Sequence, residues 1–163
     1  MLAESYMIER DYDRSVKEYR EILAKDPQNI KARTSLADVL SWQKKYDEAV
    51  MEYLKVIEIH PDDLEAKKKL AAVYAWKKDF PKSEVLYREI LAKDPQDLKQ
   101  AVAFAEVCFR LGQLQEAERR LQGVLEKDPG NRDARTLLAD VYAGEKDFDQ
   151  ALKLYRELLQ EKY

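Results

Sequence analysis

The chain has 163 residues, 29 of them Lys or Arg and 32 Asp or Glu, and its formal net charge at pH 7 is −3. This balance argues against a nucleic-acid-binding protein, because such proteins usually carry a basic face and a high isoelectric point. One cysteine, one histidine and the lack of any run of about 18 apolar residues argue against a disulfide framework, a thiolate metal cluster and a membrane-inserted segment.

The N-terminal segment, MLAESYMIERDYD, is repeatedly interrupted by charged residues. This pattern differs from that of a signal peptide, which needs a continuous apolar stretch. A secreted parent whose leader has been removed and a fragment of a longer protein both stay open.

A unit of 34 residues repeats along the chain. Prolines recur at this spacing, at Pro27, Pro61, Pro95 and Pro129. One column in the same register is always alanine: Ala3, Ala37, Ala71, Ala105 and Ala139. Another column is aromatic or large and apolar: Tyr12, Tyr46, Phe80, Leu114 and Phe148. Self-similarity at this period indicates an array of small structural units.

Each unit has the pattern of two helices joined by a short turn. The first helix is predicted to begin after an Asn or Asp whose side chain can accept hydrogen bonds from the first turn. These residues are Asn29, Asp63, Asp97 and Asn131. The second helix is predicted to begin near Asp47 in the second unit and near Pro81 in the third. The recurring proline then ends it, because proline cannot continue a helix.

The segments LADVLSWQKKYDEAVMEYLKVIEIHP and LAAVYAWKKDFPKSEVLYREILAKDP resemble the tetratricopeptide repeat (TPR). The resemblance covers essentially the whole chain and implies an all-α fold, a right-handed superhelical solenoid of about five helix–turn–helix units. We expect a single array over residues 1–163, with units at approximately 1–29, 30–63, 64–97, 98–131 and 132–163. The resemblance also implies a non-catalytic scaffold that binds a protein or peptide partner in a concave groove lined by the first helix of each unit.

Three departures from the family pattern bear on local packing and on the chain ends. The aromatic residue expected early in the first helix is replaced by Arg33, Lys67, Ala101 and Arg135. The turn glycine occurs only as Gly112, with lysine at the equivalent positions Lys44, Lys78 and Lys146. No extra polar helix follows the fifth unit, although repeat arrays usually need polar caps. We therefore expect either a piece of a longer array or an end that self-associates.

Helical periodicity places one set of residues opposite the buried stripe that contains Leu36 and Leu40. Trp42 and Trp76 belong to this set and are predicted to point into the groove. The predicted groove-lining residues are Asp38, Trp42, Lys68, Ala72, Trp76, Glu106, Phe109, Arg110 and Asp140. Large aromatic side chains on a concave surface tend to mark binding sites.

Two plainer interpretations of these residues stay open. In one, each Trp only fills space between successive first helices. In the other, the acidic column of Glu4, Asp38, Glu106 and Asp140 only balances nearby lysines on a solvated face. A functional acidic column would instead repel a C-terminal carboxylate and favour a basic or apolar partner. The Lys–Asn clamp by which some members of the family bind such a carboxylate has no counterpart in the matching positions.

No catalytic, cofactor or metal site is predicted. His60 has no second histidine to act with and precedes Pro61 in a predicted turn between units. Cys108 shares a column with Leu40 and Tyr74, so we expect a buried small hydrophobe rather than a reactive thiol. The sequence has no glycine-rich phosphate loop or nucleophile elbow.

The segments SWQKKYDEA and AWKKDF also look like TPR arrays attached to bacterial exopolysaccharide secretion and outer-membrane export proteins. That resemblance implies a periplasmic scaffold that recruits a polysaccharide-modifying enzyme or contacts the polymer through its Trp rings. Without it, the compartment is left open and the cytoplasm is the alternative. A third alternative, an RNA-binding helical array, is disfavoured because the groove of such an array would be basic.

Overall fold

The computed structural model of the chain describes residues 2–8 and 11–160, together with their side chains except those of Leu2 and Met7. All regular structure in these residues is helical. The helices are α1 (Leu2–Ile8), α2 (Tyr12–Lys25), α3 (Ile30–Trp42), α4 (Tyr46–Ile59), α5 (Leu64–Trp76), α6 (Phe80–Lys93), α7 (Leu98–Arg110), α8 (Leu114–Lys127), α9 (Arg132–Gly144) and α10 (Phe148–Gln160). None of the described helices is long and apolar enough to cross a membrane.

The helices form two compact units, Met1–Asp79 and Phe80–Tyr163. In the first unit α1 packs on α2, α2 on α3, α3 on α4 and α4 on α5. In the second unit α6 packs on α7, α7 on α8, α8 on α9 and α9 on α10. The expectation of a single array over residues 1–163 stays a prediction.

The predicted caps of the first helices are confirmed. The side chain of Asn29 accepts a hydrogen bond from the backbone N–H of Ala32 at 2.9 Å, and Asp63 accepts one from Ala66 at the same distance. Asp97 and Asn131 make the equivalent bonds. The second helices begin at Tyr46 and Phe80, one residue earlier than predicted in each case.

The first helices α3, α5, α7 and α9 end in the same turn. After α3, the N–H of Lys44 bonds to the carbonyl of Ser41, and the N–H of Lys45 bonds to the carbonyl of Leu40, each at 2.9 Å. This is the Schellman arrangement, which requires a left-handed residue between the helices. Three lysines and one glycine take that conformation: Lys44 with φ of 60°, Lys78 with 65°, Gly112 with 74° and Lys146 with 66°.

The alanine column and the second small column are both buried. Ala37, Ala71, Ala105 and Ala139 are fully buried. The second small column is buried as well, at Ser15, Ala49, Ser83, Ala117 and Ala151. Small side chains at both columns allow the paired helices to approach closely, while Tyr19, Tyr53 and Tyr87 fill the space beside them.

Candidate functional site

Both tryptophans lie at the last residue of a first helix, half in contact with the protein and half in solvent. Trp42 ends α3 and is 51% exposed, and its ring centroid lies 5.9 Å from that of Tyr12. Trp76 ends α5 and is 55% exposed, with its ring 6.4 Å from Tyr46. The interplanar angles of 49° and 40° make both contacts tilted.

These contacts combine the two interpretations of the tryptophans. Each indole does fill space, and its aromatic partner is the first residue of the preceding second helix. The remaining half of each indole stays open to solvent. A ring held on one side and exposed on the other is preorganised to receive an apolar group.

Asp38 is engaged by two side chains. The hydroxyl of Tyr53 donates a hydrogen bond to Asp38 Oδ1 at 2.6 Å, and Lys69 Nζ lies 2.7 Å from Oδ2. The ion pair joins α3 to α5, so these two first helices are neighbours. Burial, followed by the bond to Asp38, raises the pKa of Tyr53 well above its usual value. Asp38 thus balances the charge of a nearby lysine and also accepts a hydrogen bond from a buried tyrosine.

Lys68 and Ala72 follow one another on α5, one turn apart. The side chain of Lys68 is only 16% exposed and its Nζ lies 3.3 Å from Glu65. Ala72 is half-buried. These residues and Trp76 lie on one helix, while Asp38 and Trp42 lie on the neighbouring α3. We call this set, Asp38, Trp42, Lys68, Ala72 and Trp76, the indole face.

The remaining predicted groove residues lie in the second compact unit, Phe80–Tyr163. On α7, Arg110 pairs with Glu106 at 3.4 Å, and its guanidinium lies 5.8 Å from the ring centroid of Phe109. Phe109 is half-buried, and a Cβ atom added to Gly144 would lie 3.4 Å from its ring. Phe109 therefore occupies space next to Gly144. In two earlier repeats the position of Gly144 is held by Trp42 and Trp76.

Asp140 repeats the arrangement of Asp38. The hydroxyl of Tyr155 donates a 2.5 Å hydrogen bond to Asp140 Oδ1, and this bond, with burial, raises the pKa of Tyr155 to about 12. Neither tyrosine was predicted from the sequence as a partner of these carboxylates. The sequence did contain a signal for these pairs. Tyr53 follows Asp38 by fifteen residues, and Tyr155 follows Asp140 by the same number.

A charged and aromatic cluster in the second unit was also missed. Phe104 is fully buried, and the ring of Tyr87 stacks on it at 5.9 Å with an interplanar angle of 18°. The Arg120 guanidinium lies 3.9 Å from the centroid of the same ring and pairs with Glu116 at 2.6 Å. Nothing in the repeat columns singles out this cluster, because Arg120 stands where other units carry Glu or Leu.

The single thiol is buried beside this cluster, as predicted. Burial raises the pKa of Cys108 to about 11, with Arg120 acting in the opposite direction. Because the thiolate is the nucleophilic form, a buried thiol that keeps its proton at neutral pH is chemically inert.

The tetratricopeptide repeat family model matches residues 6–55, 43–105 and 108–163, which together cover most of the sequence. The chain belongs to the tetratricopeptide repeat family. Its fold is similar to that of MamA, with a TM-score of 0.88 and 16% identity over 99% of this chain and 95% of that one. A TPR protein from Parabacteroides merdae ATCC 43184 gives a TM-score of 0.91 and 18% identity, over 98% of this chain and 64% of that one.

A further similar structure is YrrB, described as a TPR protein with an unusual peptide-binding site. Its TM-score is 0.81 and its identity 19%, over 97% of this chain and 81% of that one. At such identities the likeness establishes the fold alone. The predicted all-α TPR fold is thereby confirmed.

No protein of curated function matches the chain in sequence. Neither the family match nor the similar structures support the resemblance to exopolysaccharide-export arrays. A bacterial source, a polysaccharide ligand and a periplasmic location therefore have no support beyond the short segments that suggested them.

Proposed function

We propose that the chain is a non-catalytic scaffold that binds an apolar peptide segment of a partner protein on the indole face. The observation that carries this proposal is the pair of tryptophans at equivalent positions of neighbouring helices, each about half exposed. Binding energy at protein interfaces concentrates in a few large aromatic anchors, tryptophan foremost.

Contacts with tyrosine rings restrict the orientation of both indoles before a ligand binds. Tyr12 supports Trp42 and Tyr46 supports Trp76, so each ring loses little conformational freedom when a ligand arrives. The exposed half of each ring then offers apolar area whose removal from water favours association.

The charges of the indole face favour an apolar ligand over a basic one. The carboxylate of Asp38 already accepts from Tyr53 and pairs with Lys69. A cationic ligand would have to displace these partners. The sequence predicted a basic or apolar partner, and the basic alternative depended on carboxylates that are free to bind a cation. Because Asp38 is already engaged, we propose an apolar partner.

The predicted groove residues of the second compact unit, Phe80–Tyr163, are not the anchors that we propose. Phe109 is its apolar candidate but is half-buried, and Glu106 and Arg110 are paired with each other. Asp140 is engaged by Tyr155. The proposed site therefore consists of residues of the first unit alone, and a binding role for these four residues stays a prediction.

The shared fold of YrrB is consistent with a peptide ligand, since that protein is described as having a peptide-binding site. At 19% identity this likeness transfers no residue role. The indole face is therefore assigned from this chain's own side chains.

The test is selection of peptides from a random displayed library on the immobilised chain, followed by affinity measurement against variants. We expect Trp42→Ala and Trp76→Ala each to weaken the selected peptides by about tenfold or more. Because the chain contains only two tryptophans, their fluorescence should also change when a peptide binds.

The matched control is Met51→Ala. Met51 is 58% exposed on α4, in the same unit, and is not part of the indole face. It should leave peptide affinity unchanged. Peptides that bind both Trp variants as tightly as the unmodified chain, with helicity intact in circular dichroism, would refute the proposal.

A further inference from the structure

The helix α10 carries an exposed apolar stripe. Phe148 is 60% exposed, Leu152 is 50% exposed and Leu159 is 63% exposed. Half-buried Tyr155 lies between them in sequence, and its hydroxyl is held by Asp140. The described helix that packs along α10 is α9, and it leaves this stripe open.

The equivalent stripe of α2 is a helix-packing surface. There Trp42 of α3 packs on Tyr12, while Val16 is 6% exposed and Tyr19 is 1% exposed. Tyr12, Val16 and Tyr19 stand at the same repeat positions as three residues of the α10 stripe, Phe148, Leu152 and Tyr155. The stripe on α10 therefore has the composition of a surface that another helix covers.

The spacing of the stripe fits one particular covering helix. Its residues are separated by four, three and four positions, which is the heptad spacing of a coiled-coil seam. This spacing is the same when read backwards. In an antiparallel pair of two α10 helices, Phe148 would lie opposite Leu159 of the second copy, and Leu152 opposite Tyr155 of the second copy.

The charges beside the stripe are complementary in the same arrangement. Asp149 and Arg156 follow Phe148 and Tyr155 directly, so both lie on the same flank of the seam. Both are exposed, and neither makes an ion pair with another residue that the structure describes. Antiparallel pairing brings each Asp149 near Arg156 of the second copy, giving two opposite-charge pairs related by symmetry.

We infer that the stripe on α10 is a dimerisation surface whose occupant is a second copy of this chain, bound through an antiparallel α10 pair. The spacing permits a helix pair of this kind, and the complementary flanking charges favour a second copy over an unrelated helix. A two-fold arrangement uses the same surface on both copies and closes on itself, so it produces dimers rather than filaments.

The first test is sedimentation of the full chain over a range of concentrations. We expect a monomer–dimer equilibrium, and we expect Leu152→Glu to weaken it at least about a hundredfold, because the substitution acts twice in the symmetric seam. The control is Leu54→Glu, at a residue 47% exposed on α4, which should leave dimerisation unchanged. An unmodified chain that stays monomeric, or an equal effect of both substitutions, would overturn the inference.

The second test asks whether the pairing is antiparallel. Asp149→Arg alone and Arg156→Asp alone each create two like-charge pairs in the homodimer and should weaken it. A mixture of these two variants places opposite charges at both pairs, so mixed dimers should form about tenfold more tightly than either variant's own dimer. Dimers that form without preference for the mixed species would exclude this geometry. Thermal melts of the two variants show whether α10 stays folded.

Discussion

The hydroxyl of Tyr53 donates a 2.6 Å hydrogen bond to Asp38, which links the second helix of one unit to its first helix. Tyr53 is 1% exposed, so the bond lies in a poorly hydrated environment. A bond to a charged acceptor at such a site contributes more to stability than one between neutral groups. The acidic column thus has a structural role at this position.

Replacing this hydroxyl tests that role. We expect Tyr53→Phe to lower the free energy of unfolding by about 1–2 kcal/mol, because Asp38 loses a buried donor. The matched control is Tyr87→Phe, since the residue fifteen positions before Tyr87 is Ala72, which offers no side-chain acceptor. Urea unfolding followed by circular dichroism measures both, and equal losses would mean that the bond to Asp38 contributes little.

Features set by local chemistry were predictable from the sequence. The first helices begin after Asn29 and Asp63 because a side-chain oxygen there satisfies the free N–H groups of the first turn. The half exposure of Trp42 and Trp76 followed from their position opposite the buried stripe. Periodicity specifies which side of a helix a residue occupies, and this was enough for both features.

Pairings between helices were not predictable in the same way. That Trp42 rests on Tyr12 depends on how two helices of different units are placed, which no single-helix pattern contains. The engagement of Asp38 by Tyr53 depends likewise on packing within a unit. The sequence therefore indicated which side of its helix each candidate residue occupies. It did not indicate which side chains, such as Tyr12 or Tyr53, that residue contacts.

Arg33, at the position where the family often has an aromatic residue, forms a nearly buried ion pair. Its guanidinium lies 2.5 Å from Glu52 and also donates to the carbonyl of Pro27, and the two charged side chains are 11% and 15% exposed. We expect Glu52→Ala to cost about 3 kcal/mol of unfolding free energy, because an uncompensated charge would be left nearly buried.

The matched exposed pair in the second unit is Glu106 with Arg110, whose side chains are 56% and 54% exposed. Glu106→Ala should cost less than about 1 kcal/mol, because solvent screens such pairs. Added salt should reduce the small effect at Glu106 more than the large one at Glu52. Similar losses from both substitutions in urea unfolding would contradict this ranking.

The turn lysines occupy a conformation that normally favours glycine. Lys146 has a φ of 66°, where a side chain with a Cβ atom is strained by about 1–2 kcal/mol. We expect Lys146→Gly to raise the unfolding free energy by about 0.5–1 kcal/mol, since the relief exceeds the extra entropy of glycine in the unfolded chain.

The neighbouring residue supplies the control for this turn. Glu145 has a φ of −80°, so Glu145→Gly relieves no strain and should lower the unfolding free energy by about 0.5–1 kcal/mol. Opposite signs at two adjacent positions would identify backbone strain as the cause. A loss of stability at both positions in thermal melts would show that the lysine side chain contributes more than its strained backbone costs.

Cys108 should make stability depend on pH in the alkaline range. Burial raises its pKa from 9.0 to about 11, so the folded chain holds the thiol proton more tightly than the unfolded chain does. The resulting stability is fully present below about pH 9 and is lost as the pH rises towards 11. Cys108→Ala removes this contribution, while Tyr87, with a pKa raised to about 12 by burial, loses its own contribution in both chains.

The measurement is urea unfolding of the unmodified chain and of Cys108→Ala at intervals from pH 8 to pH 11. At pH 8 the variant should be the less stable, because it leaves a cavity beside the Phe104 cluster. The difference between the two chains should then shrink towards pH 11, since only the unmodified chain has a thiol whose proton is lost on unfolding. A difference that stays constant over this range would mean that the thiol ionises equally in both states, which the burial of Cys108 and the nearby charges of Glu116 and Glu84 argue against.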